Sequence, residues 1–259
     1  MRRLVIPATA LFFALSSFGG ARAEHLVVAL STHQVQINSS FVGTDLVLFG
    51  AIERDEKTVA RSGSFDIVVR VTGPPQTEVT FRKGRVLGIW VNAESRVFLD
   101  APGYLAMLSN RPLTEIAGPE TLRRYRIGLE NVTFPQQIAG DIGDVPLNDP
   151  FRMAFLRLNR EQRLYREVPN AVTFLTPNLF RAAIRIPANV PVGTYIVDVM
   201  LFGEGVMLAT SNSAIEIQKV GFEQFVASSA HDRGLLYGLA TAALALLTGW
   251  IASVVFRRD

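Results

Sequence analysis

The chain has 259 residues, with 26 Lys and Arg against 23 Asp and Glu, three His and no Cys. Three of the arginines, Arg2, Arg3 and Arg22, lie in a segment that we expect to be removed, so the remaining chain is formally neutral and lacks the basic charge that typifies nucleic-acid binding. The absence of Cys excludes disulfides and thiol chemistry.

Residues 1–23 are predicted to be a signal peptide. Arg2 and Arg3 form a positive start, an uncharged apolar stretch follows, and Ala-Arg-Ala at 21–23 has the small residues of a cleavage site before Glu24. The paired arginines also fit a twin-arginine signal, but the surrounding motif is poor, so ordinary Sec export is favoured. An uncleaved anchor is the remaining alternative.

The exported domain is predicted to cover residues 24–230, and its first part has the pattern of β-strands. Short β-branched and aromatic runs alternate with turn-forming residues between His25 and Leu99. Pro74 and Pro75 mark a connection, because proline cannot sit inside a central strand.

The stretch 82–98, RKGRVLGIWVNAESRVF, is predicted to be a strand followed by a turn at 92–95. Its alternation defines two faces, one with Val86, Gly88, Trp90 and Asn92 and the other with Leu87, Ile89 and Val91. The aliphatic face is expected to point into the core. Trp90 is then either covered by inserted helices, which is the favoured interpretation, or exposed as an interaction site.

Residues 103–167 break the β pattern and are predicted to be a helical insertion. Pro119 suits the first turn of one helix, and Asp149 and Pro150 suit the N-cap and first position of a second. The apolar stripe of this second helix is predicted to consist of Phe151, Ala154, Phe155, Leu158 and Tyr165.

The rest of the second helix is rich in arginine, namely Arg152, Arg157, Arg160, Arg163 and Arg166. Because the planar guanidinium group suits carboxylates, sulfonates and phosphates, this pattern indicates an anion-binding or partner-docking face. A solvated helix face, with its charge offset by neighbouring acidic residues, is the favoured alternative.

Strands return after residue 167, and one of them alternates strictly. One face carries Phe180, Ala182, Ile184 and Ile186, and the other carries Arg181, Ala183 and Arg185. The segment 186–202 has a Pro/Gly corner before a long strand with an aromatic residue near its start, which is typical of immunoglobulin-like sandwiches. We therefore predict a mainly β fold, an immunoglobulin-like β-sandwich with a helical insertion. Two small β domains joined by helices are the alternative.

Residues 234–256 are predicted to be a transmembrane helix. These 23 residues carry no charge and would form a helix of about 35 Å, enough to span a bilayer. Arg257 and Arg258 follow, and the positive-inside rule places the tail 257–259 in the cytoplasm. We expect a single-pass protein of the bacterial inner membrane, with its N-terminal domain in the periplasm.

Small residues recur along the predicted span at four-residue intervals, among them Gly238 and Gly249. Such stripes allow another helix to approach closely, so they indicate association of the span with itself or with a permease. The alternative is a span that contacts only the lipid bilayer.

We predict no catalytic, cofactor or metal site. His25 and His33 flank the first strand and His231 precedes the span, and the sequence contains neither a nucleophile elbow nor a glycine-rich phosphate loop. A hydrolase that depends on His33 is the minority alternative.

Several long segments resemble a family of alphaproteobacterial transmembrane proteins that is defined by its topology, a signal peptide, an exported domain and one C-terminal span. The segments are FVGTDLVLFGAIERD, FDIVVRVTGPP, RKGRVLGIWVN, APGYLAMLSNRPLTEIA and IPANVPVGTYIVDVMLF. The resemblance implies no activity and no functional residues, but it implies a partner, a neighbouring permease that resembles sulfite exporters. We therefore expect a non-catalytic, membrane-anchored periplasmic protein that binds or scaffolds a membrane partner. A periplasmic domain that binds a small anion is the alternative.

Overall fold

The computed structural model describes residues 24–38, 40–53, 64–138, 141–143, 146–221, 226 and 230–255. The predicted signal peptide and the predicted cytoplasmic tail lie outside these residues.

The described residues form fourteen strands and four α-helices. The strands are β1 (His25–Leu30), β2 (Gln34–Ile37), β3 (Gly43–Glu53), β4 (Phe65–Thr72), β5 (Pro75–Val86), β6 (Ile89–Pro102), β7 (Leu105–Ser109), β8 (Gln136–Ile138), β9 (Asp141–Gly143), β10 (Tyr165–Val168), β11 (Val172–Thr176), β12 (Leu179–Pro187), β13 (Gly193–Gly203) and β14 (Val206–Lys219). The helices are α1 (Leu113–Ile116), α2 (Pro119–Arg124), α3 (Pro150–Glu161) and α4 (Gly234–Val255), and a 3-10 turn covers Leu129–Asn131.

Two sheets share the core. One has four strands in the order β1-β3-β12-β11, and the other has six in the order β10-β7-β4-β13-β14-β2. Each sheet pairs strands from the beginning of the domain with strands from its end, for example β3 with β12 and β4 with β13. A third sheet, in the order β5-β6-β8-β9, is built on a long hairpin.

The two main sheets bury their strands differently. In β12 the predicted alternation is confirmed, since Phe180, Ala182, Ile184 and Ile186 are at most 1% exposed and the intervening residues face solvent. All of β7 and the first five residues of β4 are buried, because the six-stranded sheet is covered on both faces. The Tyr104 hydroxyl donates to the Arg185 carbonyl of β12 at 2.7 Å on one side. On the other side the Gly128 N–H donates to the Met107 sulfur at 2.8 Å.

The predicted mainly β, sandwich-type fold with a C-terminal apolar helix is confirmed. The segment 103–167 differs from the prediction, because it is only partly helical. Strands β7 and β10 lie inside it and pair with each other in the six-stranded sheet. The six-stranded sheet includes both strands, so the helices α1, α2 and α3 are inserted between two strands of one sheet.

The second predicted helix starts as expected and ends earlier. The Asp149 side chain caps α3 by accepting from the Arg152 backbone N–H at 2.9 Å, and Pro150 is its first residue. The predicted apolar stripe is wrong at two positions, since Leu158 is exposed and Tyr165 belongs to β10. Phe155 anchors the helix instead, with its ring stacked 4.3 Å from that of Phe98 at the base of the hairpin.

Three buried tyrosines brace the sandwich through their hydroxyls. The Tyr195 hydroxyl donates to the Pro191 carbonyl four residues upstream at 2.6 Å, the arrangement called a tyrosine corner in immunoglobulin-like folds. Tyr165 donates to the Pro102 carbonyl at 2.7 Å, and Tyr104 bridges the two sheets as described above. Burial raises the pKa of all three phenols, so each remains a neutral donor well above the usual range.

Raising the pH from about 10 to about 12 is expected to destabilise the domain by roughly 3 kcal/mol through Tyr104 alone. Burial raises the pKa of Tyr104 to about 12, and the nearby charge of Arg166 offsets this only in part. The folded state therefore resists ionisation of Tyr104. The stability that neutral Tyr104 contributes is fully present below the pKa of an unfolded tyrosine and is lost as the pH rises from that value to the pKa of the folded state. Urea unfolding at stepped pH, together with tyrosinate absorbance, measures the effect. Ionisation of all five tyrosines near pH 10 in the folded protein would contradict it.

Candidate functional site

Four arginines converge on an open cavity of about 820 Å³, which we call the arginine groove. It lies where the C-terminal end of α3 meets the last residues of β12 and the first residues of β3. The four arginines are Arg160, Arg163, Arg166 and Arg185. Two carboxylates, Asp45 and Glu161, line the same groove, so its ionisable lining carries two net positive charges.

Different elements hold these arginines in place. Arg160 lies in the last turn of α3, where the negative end of the helix dipole stabilises a cation. Arg163 follows the helix in a left-handed conformation with φ 62°, which lets the Leu164 N–H donate back to the Asn159 carbonyl at 3.0 Å. Arg166 and Arg185 belong to strands β10 and β12, which lie in different sheets.

Arg166 is the most central of the four. It lines the arginine groove and also a second cavity of about 730 Å³, beside Glu130 and Glu167. A small cavity of about 60 Å³ between the two sheets brings Arg166 and Arg185 together with Tyr104. The two positive charges on this small cavity repel each other, so a bound anion would reduce their repulsion.

The structure separates the arginines of the predicted helix face. Arg160 and Arg163 reach the groove, but Arg152 is 3% exposed and belongs to the interior. Its guanidinium donates to the carbonyls of Leu147, Glu130 and Val132 at 2.7 to 2.9 Å. Burial lowers the pKa of Arg152, and the role of this residue is to satisfy backbone carbonyls.

Arg157 also lies away from the groove lining. Its side chain is 71% exposed and lies 3.8 Å from Glu161 one turn along the helix. The sequence pattern predicts Arg166 on the second helix and Arg185 on the strand face opposite Phe180 and Ile184. No local pattern could bring these two residues together, because their proximity depends on how the two sheets stack.

The second candidate surface is the hairpin arm, residues 81–95 at the end of β5 and β6. Every residue of the arm is exposed except Gly84, which is half-buried. Leu87 at the turn is 99% exposed, and Ile89 and Trp90 are 68% and 67% exposed. The arm therefore projects from the sandwich with apolar side chains at its end.

The structure corrects the prediction for this stretch. The turn is formed by Leu87 and Gly88, both with positive φ, and Val86 pairs with Ile89 across it. Residues 92–95, the predicted turn, lie within β6. The face of Leu87 and Ile89 is not directed into the core, and Trp90 is not covered by the helices. Trp90 as an interaction residue stays a prediction.

Helix α4 is long and apolar enough to cross a membrane over Gly234–Ser253, and none of this stretch is buried against the rest of the protein. A side chain added at Gly238 or Gly249 would meet no described atom within 4 Å. These two glycines thus leave room for a neighbouring helix, and association through them stays a prediction.

The described histidines do not gather into a centre. His25 lies 3.9 Å from Glu53 on a solvated edge, and His33 is exposed. Within the described part of the chain, no group of three or more His, Asp or Glu side chains is placed to hold a metal ion.

Comparison with known proteins places the chain in a family. The family described as "Putative transmembrane protein (Alph_Pro_TM)" matches residues 25–258, which include the sandwich, the hairpin arm and α4. No curated protein matches the chain. Because the match covers most of the sequence and includes the candidate span, the chain belongs to this family of transmembrane proteins.

Proposed function

We propose that the protein is a non-catalytic periplasmic domain, anchored by α4, that holds a multi-span membrane protein of the same bilayer through its hairpin arm. The observation that carries this proposal is the exposure of Leu87, Ile89 and Trp90 at the end of the arm. Exposed apolar clusters of this kind are typical of interaction surfaces, and Trp is a frequent binding hot spot. The family resemblance suggests a permease as the partner.

The form of the arm favours a protein partner over lipid. Val86 opposes Ile89, and the next pair, Arg85 and Trp90, lies on the opposite face of the hairpin. A flat membrane surface would cover only one of these faces. Insertion end-on to about 5–10 Å would leave Phe81, which is about 20 Å back along the strand and 54% exposed, in water. A groove on a protein can surround both faces.

The charges on the arm indicate what kind of surface the partner offers. Lys83 and Arg85 are exposed near Trp90, and neither is paired with a carboxylate among the described residues. Arg82 is neutralised by Glu94, with its guanidinium 2.6 Å from the carboxylate. Arg85 donates to the Gly88 carbonyl at 3.3 Å. The end of the arm thus combines apolar side chains with two cations that lack a carboxylate partner, and we expect its partner to offer an apolar groove with an acidic rim.

Placing a photo-crosslinking residue at Leu87 in the full-length protein is expected to capture the permease in native membranes. The same crosslinker at Val206, an apolar residue that is 61% exposed beside the turn of another hairpin, is the matched control. Trp90→Ala is expected to lower recovery of the partner about tenfold or more, with stability changed by no more than about 0.5 kcal/mol. Equal adducts at both positions, or adducts with lipid alone, would count against a protein partner.

A further inference from the structure

Beyond this docking role, we propose that the arginine groove is a binding site for a small organic polyanion, a molecule with two or more negatively charged carboxylate, sulfonate or phosphate groups. The groove belongs to the sandwich body, and its lining contains no residue of the hairpin arm.

The first support is an excess of positive charge in a concave site. Four guanidinium groups and two carboxylates line the cavity, and a cleft lined mainly by one sign of charge raises the local concentration of the opposite ion. Guanidinium groups suit this task, because each presents a planar set of donors that matches the oxygens of an oxyanion.

The second support is that two of the four cations have no internal partner. Among the described residues, none accepts a hydrogen bond or forms an ion pair with the side chain of Arg163 or Arg166. The two acidic residues are in contact with cations already, Asp45 at 3.9 Å from Arg185 and Glu161 at 3.8 Å from Arg157. Arg166 is half-buried, and a half-buried charge without a partner favours a counter-ion.

The third support is the position of the cations in the fold. The dipole of α3 accounts for a cation at Arg160, but it has no bearing on Arg185 in β12. Arg163 occupies the position after the helix end where glycine or asparagine normally adopts the left-handed conformation. Arg126 adopts the same left-handed conformation after α2, with φ 53°, so the turn itself accounts for the backbone at Arg163. What matters for the groove is that this turn places the Arg163 side chain in its lining.

The fourth support is that the walls are held in place before any ligand arrives. The Asn189 side chain donates to the Gln162 carbonyl at 3.2 Å and ties the β12–β13 loop to the end of α3. The Arg185 carbonyl accepts from Tyr104, which fixes the strand that carries this arginine. A preformed site loses less free energy on binding.

The size of the groove suits an organic ligand. A volume of about 820 Å³ falls within the range of small-molecule sites and far exceeds that of an inorganic ion. Thr44, Gln162 and Asn189 add neutral polar groups to the lining. An organic molecule can use these groups for orientation while its charged ends contact the arginines.

The test uses full-length protein in a neutral detergent, titrated with citrate, sulfate or phosphate against chloride at equal ionic strength. Citrate is expected to raise the melting temperature to a plateau. Sulfate and phosphate are expected to reach a plateau only at higher concentrations. Arg163→Gln with Arg166→Gln is expected to weaken citrate binding by about tenfold or more, because two charge-assisted contacts are lost.

A matched control removes the same charge outside the groove. Arg123→Gln with Arg181→Gln changes one arginine on α2 and one on β12, and neither these residues nor Glu120, the partner of Arg123, line the groove. This control is expected to bind citrate as the unmodified protein does. If citrate binding weakens equally in both double variants, it depends on net charge and not on the groove, and the proposal is overturned. A melting temperature that does not respond to citrate in the unmodified protein would also overturn it.

Discussion

Replacing Arg152 by Met is expected to lower the free energy of unfolding by about 3 kcal/mol or more. Arg152 donates to three carbonyls contributed by two separate segments, residues 130–132 and Leu147. Methionine fills a similar volume but donates no hydrogen bond, so three carbonyl acceptors lose the charged donor that joins their segments to α3. The turn before α3 and the segment after the 3-10 turn would then separate from the helix.

Arg157→Met is the matched control for this change, because it alters the same residue type on the same helix. Its side chain is 71% exposed, and we expect a change within about 0.5 kcal/mol. Arg152→Lys keeps the charge without the planar fork and should fall between the two. Urea unfolding of the three variants measures the order, and equal loss at positions 152 and 157 would contradict the structural role of Arg152.

Asp66→Ala is expected to destabilise the domain by about 2–3 kcal/mol. Asp66 is 1% exposed at the start of β4, and its carboxylate accepts from the Arg111 guanidinium and, at 2.9 Å, from the Asn110 side chain. Asn110 in turn accepts from the Ile67 N–H at 2.9 Å. Removing the carboxylate leaves the half-buried Asn110 amide without its acceptor, whereas the Arg111 side chain, which is 40% exposed, can turn to water.

The surface pair of Glu120 and Arg123 provides the comparison for Asp66. Their side chains are 2.8 Å apart, but Glu120 is 89% exposed, so Glu120→Ala should change stability by less than about 1 kcal/mol. Asp66→Asn, which preserves shape and removes charge, should lie between the two alanine variants. Chemical denaturation of all three tests the prediction, and a loss at Asp66 no larger than at Glu120 would refute it.

Features set by local chemistry could be predicted from the sequence. The start of α3 follows from the capping side chain of Asp149 and the fixed φ of Pro150, which act within one turn. The inward face of β12 follows from period-two alternation against a single buried face. The C-terminal span follows from a long run without charge.

Features set by distant contacts could not be predicted in this way. The burial of Arg152 depends on carbonyls that other segments bring to it. The hairpin turn was missed because Leu87 has little tendency towards positive φ, whereas residues 92–95 have the composition of a turn. The two-residue turn follows from the twist of the paired strands, because the backbone twist of type I′ and II′ turns matches that of the strands they join. The arginine groove needs both sheets in place before Arg166 and Arg185 become neighbours.

The left-handed backbone at Arg163 has a consequence for how related sequences diverge. Glycine at this position would relieve backbone strain of about 1 kcal/mol. Selection for stability alone would therefore replace the arginine. Relatives that retain a cation at this position against that tendency are those in which we expect selection to maintain the groove. In relatives with glycine or asparagine at this position, we expect residues other than arginine or lysine at the positions of Arg166 and Arg185 as well.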